Sequence, residues 1–378
     1  MKAKIFLNKI VAPRPKRVSI ADIDVALDRL WSQFNQDIIS SGFTVMRACM
    51  SNLIIYCNSM EEATAIGDDI PAIVDTHPAR VLLLIGEGKP SDGRIEALVG
   101  IYYTAMSGGW QVCAERIDVI ATPLTTDRLP SVARSNLIGD LPTTLWWASR
   151  QPPPEAGELF FQLAELSNQI IYDNMGWINP FKGVVAMTRW VAAQQDSRIV
   201  HNLAWRKVAI WRKLISQVLD PQVAPDALSS LHLIEINHGP HALAMVWLLV
   251  GWLASQLKWQ SLDGKRLSDS ELVWRFRNSN HSEIKIIVKR RPEGDPLIYQ
   301  LGFDWMNAKH PGRIGFERLD SDRIGIVEAL STIPPRIIAA QIPARSTLVS
   351  AQLAQRNRDK VFENALKSCN AMTAVFQQ

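Results

Sequence analysis

Cysteine is scarce in this chain of 378 residues: there are four, Cys49, Cys57, Cys113 and Cys369. Their spacing is irregular, which excludes a disulfide framework as the basis of the fold. Long apolar runs are missing as well. The most apolar segment, Ala242 to Ala254, has the length of a buried core helix and stops short of the ~20 residues that a membrane span needs. At the start, Ile5-Phe6-Leu7 is too short for a secretory signal. Charge is nearly balanced, with a formal net charge of +4, too mild to imply nucleic acid. The expectation is a cytoplasmic protein with neither nucleic acid nor membrane as partner.

Catalytic signatures are also missing. There is no phosphate-binding P-loop and no Gly-x-Ser-x-Gly elbow. Gly86-Glu87-Gly88 follows an aliphatic run and invites a dinucleotide reading. The third glycine of that fingerprint is absent, and Pro90 stands where the phosphate-binding helix should begin. A plain loop is the preferred reading, and an enzyme holding phosphate or a nucleotide in the Gly86–Gly88 loop is the alternative. His238-Gly239-Pro240-His241 is a close histidine pair without the third and fourth ligands of a zinc site. It reads as a turn into the apolar helix, so no metal, cofactor or catalytic residue is expected.

What is present is ordinary globular material: 47% hydrophobic and 21% charged residues, enough for two domains with sizeable cores. The basic residues cluster only at the start, as Lys2, Lys4, Lys9, Arg14, Lys16 and Arg17, and residues 1–20 read as a flexible basic arm. Residues 21–175 read as an α/β domain. Ile23, Leu27, Leu30, Trp31 and Phe34 mark an amphipathic helix. Ser59 and Glu62 form a capping signature ahead of a second helix. Val81 to Ile85 has the continuous apolarity of a strand buried on both faces. Residues 95–104 and 110–120 read as a hairpin turning at Gly108-Gly109, which sets Cys113 opposite Thr104. Strand 143–148, helix 158–166 and strand 169–172 make a parallel crossover.

Residues 176–378 read as an α+β domain, an antiparallel sheet backed by helices, with a terminal helix from Thr347 towards Phe376. Asp263-Gly264 reads as a turn. The fold class is thus α/β followed by α+β, with a mixed sheet in the first domain.

Six of the thirteen tryptophans fall between Leu141 and Leu219, namely Trp146, Trp147, Trp177, Trp190, Trp205 and Trp211. Ala204, Val208, Trp211, Ile215 and Val218 share one helical stripe, with Trp205 beside Arg212 off its centre. Tryptophan and arginine are the types that anchor interfaces. Trp205, Arg206, Trp211 and Arg212 are therefore the candidate partner-binding surface. Each cysteine reads first as a small buried hydrophobe. The alternative is a redox switch, placed at Cys369 because a terminal helix detaches cheaply.

At Thr76-His77-Pro78-Ala79-Arg80, Leu141-Pro-Thr-Thr-Leu-Trp-Trp147, Tyr172-Asp173, Asn202-Leu203-Ala204-Trp205-Arg206 and Trp211-Arg212, the chain resembles the glucose-6-phosphate dehydrogenase assembly protein (OpcA) family. These segments run through roughly the middle half of the chain. The resemblance implies a non-catalytic, allosteric partner of glucose-6-phosphate dehydrogenase that promotes its active oligomer in the oxidative pentose phosphate pathway. It further implies a link to thioredoxin through cysteines in cyanobacterial members.

Overall fold

The computed structural model describes residues 15–39, 44–47, 49–90, 93–106, 109–194, 198–306, 311–328 and 336–374, with backbone alone at 37–39, 44–47, 103–106, 109–113, 328 and 374. Most of the basic arm, the hairpin turn at 107–108, the Cys113 side chain and Phe376 lie outside these. Two units divide the chain. The first takes residues up to 173 together with 194–201 and 344–358, and the second takes 174–193, 202–343 and 359–378. The sequence reading placed 194–201 and 344–358 in the second domain; they belong to the first unit.

The first unit opens with β1 (Lys16–Val18), α1 (Ile23–Ile39) and β2 (Thr44–Arg47). Part of the expected arm is therefore structured: β1 pairs antiparallel with β5 (Glu96–Met106), and Arg17 is ion-paired with Glu96. Next come β3 (Ser51–Ser59), α2 (Met60–Gly67), α3 (Ile70–Thr76) and β4 (Ala79–Glu87), then β5 and β6 (Gly109–Ile120). The unit continues with α4 (Leu129–Asn136), β7 (Thr143–Trp147), α5 (Glu158–Glu165), β8 (Gln169–Tyr172), β9 (Ile199–Asn202) and α10 (Arg345–Ala354).

Leu53 to Cys57 and Val81 to Ile85 carry no polar alternation because β3 and β4 are buried on both faces, as a parallel sheet with helices on its faces requires. The described strands run β1-β5-β6-β4-β3-β7-β8-β9, with β2 also beside β6. β6, β4, β3, β7 and β8 are mutually parallel. In chain order these five stand third, second, first, fourth, fifth, which is the doubly wound arrangement, and the order reverses between β3 and β7. The hairpin of β5 and β6 is present, but Thr104 faces Gln111, and a bulge at Tyr102/Tyr103 leaves Cys113 as the extra residue.

One buried ion pair ties this sheet together. Glu115 on β6 is 0% exposed and accepts from Arg80 on β4, with N–O distances of 2.6 and 2.7 Å. Its other oxygen accepts the Trp31 indole N–H of α1 at 2.7 Å. Arg80 also donates to the Asn136 carbonyl that ends α4. Buried Asn52 does similar work for the turn after α4, exchanging hydrogen bonds with the backbone of Ile138.

The second unit holds α6 (Pro180–Ala193), α7 (Leu203–Lys207), α8 (Ala209–Val218), β10 (Leu231–His238), α9 (Leu243–Gln256), β11 (Gln260–Arg266), β12 (Glu271–Arg277) and β13 (Glu283–Arg290). It is completed by β14 (Ile298–Met306), β15 (Pro311–Arg318), β16 (Arg323–Glu328), β17 (Arg336–Ala339) and α11 (Lys360–Ala374). The described strands run β11-β12-β13-β10-β14-β15-β16-β17.

Three expectations change here. The sheet is antiparallel except at β10 and β13, which are parallel because α9 acts as a crossover between β10 and the β11–β13 meander. Asp263-Gly264 lies inside β11, where Asp263 pairs with Arg275 of β12 in a carboxylate–guanidinium contact. The terminal helix is two helices. The chain leaves α10 where Gln169 Nε2 takes the carbonyls of Gln352 and Gln355, and α11 restarts on the carboxylate of Asp359, which caps Phe362 N at 2.9 Å.

Helix α9 is apolar almost all round because it is buried on nearly every side. Gly251 brings α11 against it: a Cβ there would lie 2.5 Å from Cys369 Sγ and 2.6 Å from the Ala365 carbonyl.

Replacing Arg80 with alanine strands the Glu115 carboxylate in the interior. A loss of about 3–5 kcal/mol in unfolding free energy is expected, read from urea denaturation. A loss below ~1 kcal/mol would show that Glu115 is compensated from elsewhere.

Candidate functional site

In a doubly wound sheet, ligands sit outside the carboxyl ends of the strands where strand order reverses. Here that place lies beyond β3 and β7. Dinucleotide sites put a glycine-rich turn after the first strand, so that backbone N–H groups at a helix N-terminus can take a pyrophosphate. In this chain that turn is Asn58-Ser59-Met60-Glu61-Glu62, without glycine. Ser59 Oγ accepts from Glu62 N at 3.2 Å, and Glu62 Oε2 accepts from Asn58 N at 2.8 Å, a capping box shifted so that the carboxylate reaches the residue before the cap. Glu62 Oε1 accepts from Arg150 N, in the loop after β7, at 3.2 Å.

One carboxylate therefore spans the place where the phosphates of a dinucleotide would lie. It engages Asn58 N and Arg150 N on either side of that place, and its charge repels theirs. Tyr56 and Trp147 close the floor, stacked at 4.3 Å, with the Tyr56 hydroxyl donating to Asn58 Oδ1 at 3.1 Å. Burial, then the charges of Glu87 and Glu62, push that hydroxyl's pKa up, so it stays a neutral donor. The residues present do not fit a dinucleotide, and no step through one is derived.

The Gly86–Gly88 loop follows the second parallel strand, not the first. Its glycines serve packing. A Cβ on Gly86 would lie 2.5 Å from the Tyr56 hydroxyl, and one on Gly88 would lie 2.2 Å from Ile120 Cγ2. Its backbone is engaged as well, with Gly88 N donating to Ala121 O at 2.7 Å and Gly86 O accepting from Thr126 Oγ1 at 2.6 Å. That loop offers no phosphate cradle, which corrects the alternative reading.

The four expected partner-binding residues gather in the second unit, but not as an exposed aromatic surface. Asn202 caps α7, accepting from Trp205 N at 2.7 Å. Trp205 is 2% exposed and donates its indole N–H to Asp359 Oδ2 at 2.8 Å, the same carboxylate that caps α11. The Arg212 guanidinium lies 3.3 Å above the Trp205 ring, a cation–π stack in which burial brings the Arg212 pKa down to about 10. Arg206 pushes it the same way, while Asp359 opposes them. Trp211, 3% exposed, lies under the Arg318 guanidinium at 5.7 Å.

Both tryptophans are thus core residues. Only Arg206 and Arg212, each half-buried, reach towards solvent. The sequence placed Trp205 off the apolar stripe of α8. In the structure it belongs to a separate short helix, α7, whose own face turns towards α9 and α11.

The cysteines separate in the same way. Cys57 and Cys369 are buried, and burial raises both thiols above their ordinary range. Cys369, 0% exposed, donates to the Trp247 carbonyl at 3.2 Å. A thiol so placed is a poor nucleophile, and the switch expected there does not fit its surroundings. Cys49 is half-buried and shares a surface concavity with Arg80. Among the described residues no disulfide is formed, and no group of three or more His, Cys, Asp or Glu could hold a metal. His238 Nδ1 lies 2.7 Å from Gly239 O and so carries the proton, and burial lowers its pKa; His241 takes φ +60 in the turn.

Two residues escaped the sequence reading. Glu62 was seen as a capping residue, but its place at the reversal of strand order depends on knowing that β3 is the first parallel strand. Arg318 occupies the inward register of Ile314 and Phe316 on β15, and that period-two pattern was the available signal.

Residues 71–189 match the family described as the glucose-6-phosphate dehydrogenase subunit N-terminal domain, and residues 198–366 match the corresponding C-terminal domain. A relative from Nostoc punctiforme named OxPP cycle protein OpcA is 28% identical over 194 residues, which is 51% of this chain and 40% of that protein. One of the same name from Synechococcus elongatus is 24% identical over 308 residues, 78% of this chain and 67% of that protein. The chain thus spans well under half the length of the Nostoc relative along that match. Among solved structures, an NAD binding oxidoreductase from Klebsiella pneumoniae is similar with a TM-score of 0.51 at 9% identity, covering 87% of this chain and 97% of that one. The transcriptional regulator Gal80p from Kluyveromyces lactis is similar with a TM-score of 0.50 at 10% identity, covering 86% and 89%. These likenesses are of fold alone.

Titrating the chain with NADH or NADPH is expected to give no saturable fluorescence change up to millimolar concentration; a saturable response would overturn the reading of Glu62. Trp205→Phe keeps the ring but loses the bond to Asp359. It should cost about 1–3 kcal/mol in urea denaturation, whereas Trp205→Ala should cost about 3–5 kcal/mol.

Proposed function

This chain belongs to the OpcA family of glucose-6-phosphate dehydrogenase subunits, and on that premise we propose that it is a non-catalytic partner of glucose-6-phosphate dehydrogenase that favours the enzyme's active oligomer. The observation that carries the reading is the match of both family domains, in order, along 71–189 and 198–366. The carboxylate of Glu62 supports its non-catalytic part, because the crevice where this fold would carry a dinucleotide is filled by the chain itself. Membrane spanning has no support either: among the described residues no helix is long and apolar enough to cross a bilayer. We place the protein in the cytoplasm, acting in the oxidative pentose phosphate pathway.

The mechanism follows from linkage. A partner raises enzyme activity only by binding the active state more tightly than the inactive one. By reciprocity, ligands that favour the active enzyme then tighten the complex. A tenfold preference corresponds to about 1.4 kcal/mol, which a few contacts can supply. The contact surface we assign is the basic edge of α7 and α8, with Arg206 and Arg212 as direct contacts and Trp205 and Trp211 as their buried support. For redox control through thioredoxin, Cys49 is the candidate, half-buried beside an arginine. It would form a disulfide with a thiol of the partner enzyme, two electrons passing to a cellular disulfide oxidant, and thioredoxin would return both thiols by exchange.

The test is glucose-6-phosphate dehydrogenase activity at low substrate, with and without this protein, in oxidised and reduced samples. Activation is expected, with Arg206→Glu weakening it roughly tenfold or more in half-maximal concentration while the thermal midpoint stays unchanged. No activation together with no complex on gel filtration would sink the reading. Activation that ignores both reduction and Cys49→Ser would remove thioredoxin from it.

A further inference from the structure

The second unit contains a basic cavity that borders the assigned contact edge at Arg206 and Trp211 and extends beyond it. Its volume is about 310 Å3, at the lower end of the ~300–1,000 Å3 typical of small-molecule sites. It lies between α7 and α8, the start of β14, the end of β15 and residues 341–343. Among the described residues, four cationic side chains line it, Arg206, Lys207, Lys213 and Arg318, and no acidic side chain does. The rest of the wall is largely apolar, with Trp211, Met245 and Ile298.

Arg318 makes this more than a basic surface. It is 9% exposed, yet no carboxylate lies within ion-pair distance of it among the described residues. Its bonds to protein all leave from Nη1, to the carbonyls of Asp320, Ser321 and Ala340 at 3.1–3.3 Å. Those three bonds fix the guanidinium plane. Among the described residues, buried Nε has no acceptor, and none meets Nη2. Asp320, the nearest acid in sequence, is held by Arg323 at 2.6 Å. A charged donor fixed in place and left unsatisfied is costly, and the parallel Nε–H and Nη2–H pair is the fork that receives two oxygens of an oxyanion.

We propose that this cavity binds the phosphoryl group of a small phosphorylated metabolite, with Arg318 as the bidentate anchor, Lys213 closing the mouth and the apolar wall against the body of the ligand. A phosphoryl group suits the site better than a carboxylate, because its third oxygen can meet Lys213 while two oxygens occupy the Arg318 fork. Free phosphate and a phosphate ester share this recognition; the volume left beyond the anchor favours the ester.

Isothermal titration calorimetry of the whole chain at matched ionic strength tests this without any enzyme, so its outcome is separate from that of the partner reading. The probes are inorganic phosphate, a hexose monophosphate, the unphosphorylated hexose and succinate. Saturable binding of the hexose monophosphate is expected, with the plain hexose and succinate at least tenfold weaker. Inorganic phosphate as tight as the ester would make free phosphate the ligand of the same site. Lys213→Glu, a substitution at an exposed position, should weaken binding roughly tenfold or more, and Arg318→Gln should abolish it. Because Arg318→Gln also frees three carbonyls and can unfold the unit, Lys213→Glu with an unchanged thermal midpoint is the deciding variant. No saturable heat with either phosphate, succinate binding as tightly as the ester, or full binding in Lys213→Glu would overturn the proposal.

Discussion

The carboxyl edge of the first sheet depends on one constraint: the first turn of α2 exposes backbone N–H groups with no partner inside the helix, and something must accept from them. In a dinucleotide-binding chain a ligand does so, and glycines let it approach. Here the Ser59 hydroxyl accepts from one of those N–H groups, Glu62 N, while the Glu62 carboxylate accepts from Asn58 N just ahead of the helix. Because Glu62 also accepts from Arg150 N, the same carboxylate sets the chain that leaves β7. The Ser59 cap steadies the start of α2 without a ligand, and the Glu62 carboxylate sets a negative charge where an anionic ligand would approach. The doubly wound sheet keeps its shape while a carboxylate stands at the reversal of its strand order.

The segments that mark the family have structural duties that explain their residue types. Arg80, at the end of Thr76-His-Pro-Ala-Arg80, serves Glu115, and Glu115 serves Trp31. Asn202 caps α7 and Trp205 reaches Asp359, which in turn starts α11. In both places a single carboxylate is shared by an indole N–H and a second donor. Shared acceptors of this kind are sensitive to single substitutions, because removing one member leaves the others buried without a partner. A motif that identifies a family therefore need not lie on its binding surface, and Trp205 is a case where composition suggested an interface and packing decided otherwise.

Much of the fold was legible. Continuous apolar runs gave β3 and β4, the Ser59–Glu62 pair gave the start of α2, and all-round apolarity gave α9. Other features rest on distant partners that local pattern does not carry. β11 passes through Asp263-Gly264, a pair that signals a turn by itself, because Arg275 on the neighbouring strand engages Asp263. The parallel pairing of β10 with β13 follows from a crossover and not from either strand. The α10–α11 break comes from Gln169, more than 180 residues away in sequence. For the proposed contact edge, residue type grouped four residues on one stretch, but Trp205 is buried, and Trp211 is buried as the apolar stripe of α8 implies. An amphipathic stripe identifies one buried face; it does not reveal that the neighbouring helix buries a second.

On the proposed reading the chain acts through its surfaces, and surfaces act by preference between states of something else. That places a strict condition on the proposed role: tight binding alone achieves nothing unless it differs between two forms of the enzyme. It also gives the basic cavity a physical place in the scheme. A ligand held by Arg318 fixes the β15 end and residues 341–343, and it neutralises charge beside Arg206 and Lys213, which border the proposed contact edge. Filling the cavity would then change the field that a docking surface meets within a Debye length of about 8–10 Å. Metabolite binding and partner binding would be linked through charge, without a moving part. The sign of that linkage follows from the partner's surface: an acidic enzyme face would be held less tightly when the cavity is filled, and a basic one more tightly.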